Sequence, residues 1–429
     1  QEALTKPPYN FIPVNKDVPL PDYLPMKSLD EMSKYVEHDW AKINPLRAAW
    51  IEKFNKEHPD IQIKATTLEW GTPYYTKVRT AVGVGEGPDI MTYHLSRLPL
   101  ALTEGSLSEI TDADLTAAGL TKDNFPAAAI RAASSDDGKL YAVPFDIHAI
   151  VAYYNKKALE GTGALDDKGN LSIKGLDAFN AVLAKAKEKG VKVPLSYQTV
   201  GGGGTWRVFY TLFSQEGGEF ITNGEVLAGD NAAKAQKAIE IMADWRSKDL
   251  IPEQTEYEAS VALFSAGDAA IHINGVWEVP TFKDLAASNK LGFEWGAAVV
   301  PQLLDKPATW ADSHSLAIPA NKNESPEMRK AVLTIIGWFE KNSLAWADAG
   351  HIPAYKPTVE SAEYQAMQPN ATYAPLADQA AFDPRSTIAG VASPVYDAVD
   401  NFIAPAVHGQ MTPEEAVTEM KASLQGMLK

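Results

Sequence analysis

The chain has 429 residues, 22% of them charged and 45% hydrophobic, which suits a globular protein with two cores rather than one. Its formal net charge of −16 provides no basic stripe to displace phosphate counterions, so no nucleic-acid partner is expected. Cysteine is absent, which removes disulfides, thiol catalysis and cysteine-ligated zinc and agrees with an exported protein.

Residues 1–32 carry Pro7, Pro8, Pro13, Pro19, Pro21 and Pro25, a density that favours extended, semi-rigid chain, and they read as an arm or spacer. Gln1 in place of an initiator methionine leads to the expectation that some N-terminal segment has been removed. Residues 33–37 read as a strand, followed by a polar, aromatic loop with His38, Asp39 and Trp40. Asn44-Pro45 opens a helix in which Leu46, Trp50 and Phe54 share a face, and His58-Pro59 ends it. A strand is expected over 61–68, running out into Glu69-Trp70-Gly71.

A helix over 75–82 leads to Gly83-Val-Gly-Glu-Gly-Pro-Asp-Ile90. Its glycines do not make a phosphate loop, because no Lys-Ser/Thr follows and they precede a strand instead of joining strand to helix. That strand, 90–93, ends at His94. The alternation predicts α/β units on a largely parallel sheet, whose rim would carry 38–42, 69–71 and 93–97.

Gly138 turns the chain into a short strand over 140–143, and a second apolar run covers 147–154. Between them Pro144 interrupts the ladder and gathers Phe145, Asp146 and His148. There follow a helix over 171–190, a strand over 191–197, a glycine loop 201–206 ending in Trp206, and a helix over 207–215. Helices over 231–248 and 257–265 precede a buried strand that exits at Gly275-Val-Trp277-Glu278. A later strand and crossing are read at 313–319, which includes His314. Ser325-Pro326 opens a helix with an apolar stripe of Met328, Val332, Ile335, Ile336 and Phe339. The last turn is Ala349-Gly-His-Ile-Pro-Ala354. The longest nearly apolar run, 332–339, falls far short of the roughly 20 residues a membrane span needs.

Taken in order, Gly87-Pro-Asp-Ile90, the break at Pro144 to His148, Gly275-Val-Trp277, the 313–319 crossing and Gly350-His-Ile-Pro353 resemble one family. It is that of the extracellular solute-binding proteins of ATP-binding cassette sugar importers, the maltose-binding protein family. The resemblance covers residue 33 to the C-terminus. It implies an α/β, two-lobed periplasmic-binding-protein-like fold with lobes joined by three hinge crossings. The first lobe would be 33–145 plus 316–351, and the second 146–315 plus 352–429. It further implies an extracytoplasmic monomer, periplasmic or lipid-anchored, that closes over a di- or oligosaccharide and hands it to permease subunits. No catalysis, cofactor or metal is expected. One departure is His148, which stands where maltose binders carry a carboxylate.

Sugars present flat C–H patches that stack on aromatic rings, edged by hydroxyls that need planar polar partners. The expected ligand-binding residues are therefore His38, Asp39, Trp40, Glu69, Trp70, His94, Asp146, His148, Trp206, Trp277, Glu278, His314 and Arg385. Trp50, Trp245, Trp338 and Trp346 fall on helix patterns and read as packing, while Trp310 suits either role. His148, His314 and His351 stand at the three crossings, where polar roles are expected; no histidine pair has the short spacing of metal ligands. His272 reads as a satisfied core histidine. Two alternatives remain open. Arg385 with Arg97 would clamp an anionic sugar or glycerol phosphodiester. Two of Asp39, Glu69, Asp146, Glu278 and Asp312 would form a glycoside-hydrolase pair, although no hydrolase motif accompanies them.

Overall fold

The computed structural model describes residues 43–321 and 324–428. The expected strand at 33–37 and the candidates His38, Asp39 and Trp40 lie outside them. Contacts divide the chain between Thr67 and Leu68, and each unit is described by itself.

In the first unit, helix α1 (Ile43–Glu57) carries Asn55, whose side chain accepts from the Ile63 amide at 2.8 Å and donates to the Ile63 carbonyl at 3.2 Å. The strand expected over 61–68 is not formed. The segment has no regular structure and is mostly exposed, with no ladder partner among the described residues. Its β-branched residues favour a pleated surface only when a neighbouring strand supplies one.

The second unit opens with helix α2 (Thr72–Gly83) and strand β1 (Met91–His94), then helix α3 (Ala127–Ala132) and strand β2 (Ala142–Pro144). Strand β3 (Asp146–Asn155) is buried at all ten positions, as its nearly continuous apolar run requires of a central strand. Strand β4 (Val193–Ser196) and helix α4 (Gly203–Gln215) precede the fully buried β5 (Ala269–Gly275). Strands β6 (Trp295–Ala298), β7 (Thr309–Asp312) and β8 (His314–Ala317) follow. Helix α5 (Pro326–Lys341) starts at Ser325, whose hydroxyl caps the Met328 amide. Met328 is exposed, so its apolar stripe begins a turn later, at Val332. Helix α6 (Leu344–Ala347) and strands β9 (Ile352–Pro353) and β10 (Ala380–Phe382) complete the set that builds the site.

These strands form two sheets. The smaller has the order β1-β8-β2, and both of its pairings are antiparallel. This corrects the largely parallel sheet expected for the first 150 residues. Strands β1 and β2 do run in the same direction, but β8, from much later in the chain, inserts between them. The larger sheet has the order β10-β7-β3-β5-β4, with β6 and β9 also on β3. One long strand thus serves four neighbours: β9 at Asp146 and Ile147, β7 at His148 and Ala149, and β5 and β6 beyond.

The chain passes between the sheets through single residues, Phe145 between β2 and β3 and Ser313 between β7 and β8. Backbone bonds lash these crossings together. The Phe145 amide donates to the His314 carbonyl at 2.8 Å, and the Ala354 amide donates to the Phe145 carbonyl at 3.1 Å.

Candidate functional site

Asp146, the first residue after the first crossing, is fully buried. Its Oδ1 accepts from His148 Nδ1 and from the His314 backbone amide, each at 2.9 Å. Its Oδ2 accepts from Trp346 Nε1 at 2.7 Å and His314 Nδ1 at 2.8 Å, with His351 Nδ1 3.1 Å away. Burial alone would raise this carboxyl, but the surrounding imidazoles and the His148 hydrogen bond outweigh it and hold Asp146 well below the usual carboxylate range. One carboxylate therefore joins residues from all three crossings.

The imidazoles gather above this hub. The ring of His314 lies 4.3 Å from that of His148 and 4.6 Å from that of His94, centre to centre. Tyr75, from α2, places its hydroxyl 2.6 Å from His94 Nδ1. Burial, with His314 next, lowers His148 to about 3, and the same causes lower His94 well below the ordinary histidine value. Both rings are neutral at physiological pH. Asp146, His148, His314 and His351 bring ligand-type atoms within 4.8 Å of one another, as do His94, His148 and Asp312. The spacing argument for dispersed histidines is thereby corrected: the rings come from separate crossings, which short-range spacing cannot register. His148 and His314 each turn Nδ1 to Asp146, so the carboxylate and the two rings form one hydrogen-bond network.

The walls are aromatic. Trp70 is 52% exposed and meets His94 edge-on at 6.1 Å. Trp277 and Trp310 stand 6.0 and 6.2 Å from the His148 ring. The six-membered ring of Trp277 lies against Gly275, where a Cβ would come within 2.2 Å of three ring atoms. The Arg207 guanidinium lies over Trp277 at 4.8 Å and over Trp310 at 4.7 Å.

A family model for bacterial extracellular solute-binding proteins matches residues 49–372. The chain belongs to this family. An uncharacterized ABC transporter extracellular-binding protein of Pyrococcus horikoshii is 28% identical over 360 residues, 78% of this chain and 75% of that protein. A maltooligosaccharide ABC transporter solute-binding lipoprotein of Streptococcus pneumoniae is 24% identical over 404 residues, 89% and 88% of the two chains. The solved sugar-binding protein MalE of Xanthomonas citri superposes with a TM-score of 0.76 at 17% identity, covering 90% of this chain and 94% of that one. The fold is the two-lobed one of these proteins. Among the described residues, no helix of this solute-binding protein is long and apolar enough to cross a membrane.

Of the expected site residues, the structure brings His94, Asp146, His148 and His314 together, with Trp70 and Trp277 beside them. Glu69, next to Trp70, is exposed. Three expectations are corrected. Trp206 does not stand in a flexible loop: α4 begins at Gly203, and the indole is fully buried with its N–H on Asp383 at 2.7 Å. Glu278 is buried and accepts from the Tyr257 hydroxyl, which in turn accepts from Trp277 Nε1 at 2.8 Å, so it orients that indole from behind. Arg385 donates to the carbonyls of Arg131 at 2.6 Å and Ser134 at 2.7 Å, and pairs with Asp136 at 3.1 Å, which engages both of its terminal nitrogens. It lines a separate cavity of about 410 Å³ with Ser96, Tyr210 and Phe382, to which the histidines do not contribute. Arg97 donates through Nη1 to the Ala392 carbonyl at 3.1 Å, while its Nε is buried and unbonded.

His272 has its Nδ1 on Ser196 at 2.7 Å but a buried, unbonded Nε2, so the core reading holds for one nitrogen. Trp346 and Arg207 were missed. Trp346 carries an ordinary helix pattern, and nothing in the sequence marks its N–H. Arg207 follows Trp206 directly, and only the fold places its side chain among aromatics from distant strands.

Proposed function

We propose that this solute-binding protein captures a di- or oligosaccharide between its lobes and delivers it unchanged, as a monomer, to the membrane subunits of an ATP-binding cassette importer. The lobes are 33–145 plus 316–351 and 146–315 plus 352–429, a division supported by the sheet change at Phe145 and Ser313. The observation that carries the reading is the meeting of an exposed indole, Trp70, with the imidazoles of His94, His148 and His314 where the sheets join. That is an apolar plate beside planar polar groups, the lining that a pyranose recognises. The maltooligosaccharide and sugar-binding relatives point the same way.

Binding without turnover is favoured over hydrolysis because the buried carboxylates are already engaged. Asp146 accepts from imidazole and indole donors, Asp312 from Ser96 and Ser313, and Glu278 from Tyr257. A ligand touching both lobes stabilises the closed state by its differential affinity for that state.

A thermal-shift screen over oligosaccharides identifies the ligand, and small-angle scattering with and without it tests the clamp. A more compact particle on saturation, with the sugar recovered intact, is expected. Identical profiles from a sample shown to start ligand-free would remove the clamp, and accumulating product would restore the hydrolase reading.

A further inference from the structure

Arg207 is the fifth residue of α4 and only 8% exposed. Its side chain folds back over the first turn, where a Cβ on Gly203 would lie 3.0 Å from Nη2. The guanidinium lies over two indoles, Trp277 and Trp310, which fix its plane. Its Nε is buried and unbonded, and no described residue accepts a hydrogen bond from either Nη. The neighbouring carboxylates are spent elsewhere. Asp383 accepts from Trp206, Trp310 and Tyr396, and Asp312 from Ser96 and Ser313.

Asp383 acts on the guanidinium through space but makes no salt bridge with it, so a buried N–H donor is left without an acceptor, which is costly unless a ligand meets it. The two indoles over which it lies flank His148, and its charge is among the influences, after burial and the neighbouring imidazoles, that depress His94. Arg207 therefore faces the same histidine cluster as the proposed sugar site. A guanidinium held in one plane offers paired N–H donors that match a carboxylate.

We propose that the carbohydrate captured here carries one negative charge, the carboxylate of a uronic acid residue, and that Arg207 is the residue that reads it. This rests on the carbohydrate reading above.

The test is calorimetry of the whole chain with galacturonate and glucuronate disaccharides, the neutral galactose and glucose disaccharides of the same linkages, and a sulfated disaccharide. The uronates are expected to bind at least about tenfold more tightly than their neutral counterparts. The gap should close in Arg207→Gln and reopen only in part in Arg207→Lys, which keeps the charge but loses the planar fork. Neutral disaccharides that bind as tightly as the uronates overturn this inference and leave the carbohydrate reading standing. A uronate preference that survives in Arg207→Gln, at an unchanged melting temperature, overturns the role of Arg207. Preference for the sulfated sugar overturns the carboxylate, and no binding by any saccharide overturns both readings. Should Arg207→Gln fail to fold, the wild-type comparison of uronate with neutral sugar decides.

Discussion

Trp346 donates its indole N–H to Asp146 across 2.7 Å, and this bond ties the helix that leads into the third crossing to the first. His314 Nδ1 reaches the same oxygen from the second. Asparagine at 146 would remove the charge and turn an N–H toward groups that are themselves donors. Asp146→Asn is therefore expected to cost about 3 to 5 kcal/mol, as when one partner of a buried pair is lost. Urea unfolding measures it, and a loss under about 1 kcal/mol would show that the hub contributes little.

Trp206 is a core residue, stacked on Tyr210 at 5.0 Å and hydrogen-bonded to Asp383. Trp206→Ala should destabilise the protein by about 3 to 5 kcal/mol through the cavity it leaves. The melting temperature should fall accordingly. An unchanged melt with weakened sugar binding would return Trp206 to the ligand site.

Trp70 gives the opposite expectation. Half-exposed at the edge of the histidine cluster, it can be truncated with little loss of packing. Under the proposed function, Trp70→Ala should weaken sugar binding by about 1 to 3 kcal/mol, as expected of an aromatic anchor, while stability changes by less than about 0.5 kcal/mol. Calorimetry beside a thermal melt separates the two, and unaltered affinity would exclude Trp70 as a platform.

Burial, with the Asp383 carboxylate next, lifts Asp312 from 3.8 to about 7. Between those values the folded chain holds a proton that the unfolded chain has released. This residue's contribution to stability therefore falls as pH rises, by up to roughly 1.4 kcal/mol per unit. His148, lowered by burial to about 3, acts in the other sense: its contribution is lost as pH falls below about 6.5. The wild-type profile mixes both, but a substitution isolates one. Asp312→Asn should gain on the wild type by roughly 2 kcal/mol or more between pH 5 and pH 8, and any pH-independent cost cancels in that difference. An equal gap at both pH values would show that Asp312 does not titrate there.

The fold was legible wherever the signal was local. The apolar run of β3, the proline break before it and the Ser325-Pro326 helix start all stand where periodicity and capping place them. The antiparallel sheet was hidden because β8 lies far from the strands it separates, and pattern within a window says nothing about a late insertion. The site divided in the same way. His148, His314 and His351 were legible as crossing residues, but their convergence on Asp146 is a property of three backbones brought together. Trp206 and Glu278 misled because a polar or aromatic residue near an element end points to the cleft or away from it according to a one-residue change in helix phase. Arg385 misled because backbone carbonyls satisfy a guanidinium as fully as an anion does.

Rotation of one lobe on the other displaces each atom in proportion to its distance from the axis. Under the proposed function, three connections fastened to a single carboxylate would act as an axle, with Asp146 where the sweep is least. Opening on such an axle would bend the hub's bonds without parting them, so that wetting a buried charge would be no part of releasing the cargo. The energy of the swing can be set almost wholly by what the jaws hold.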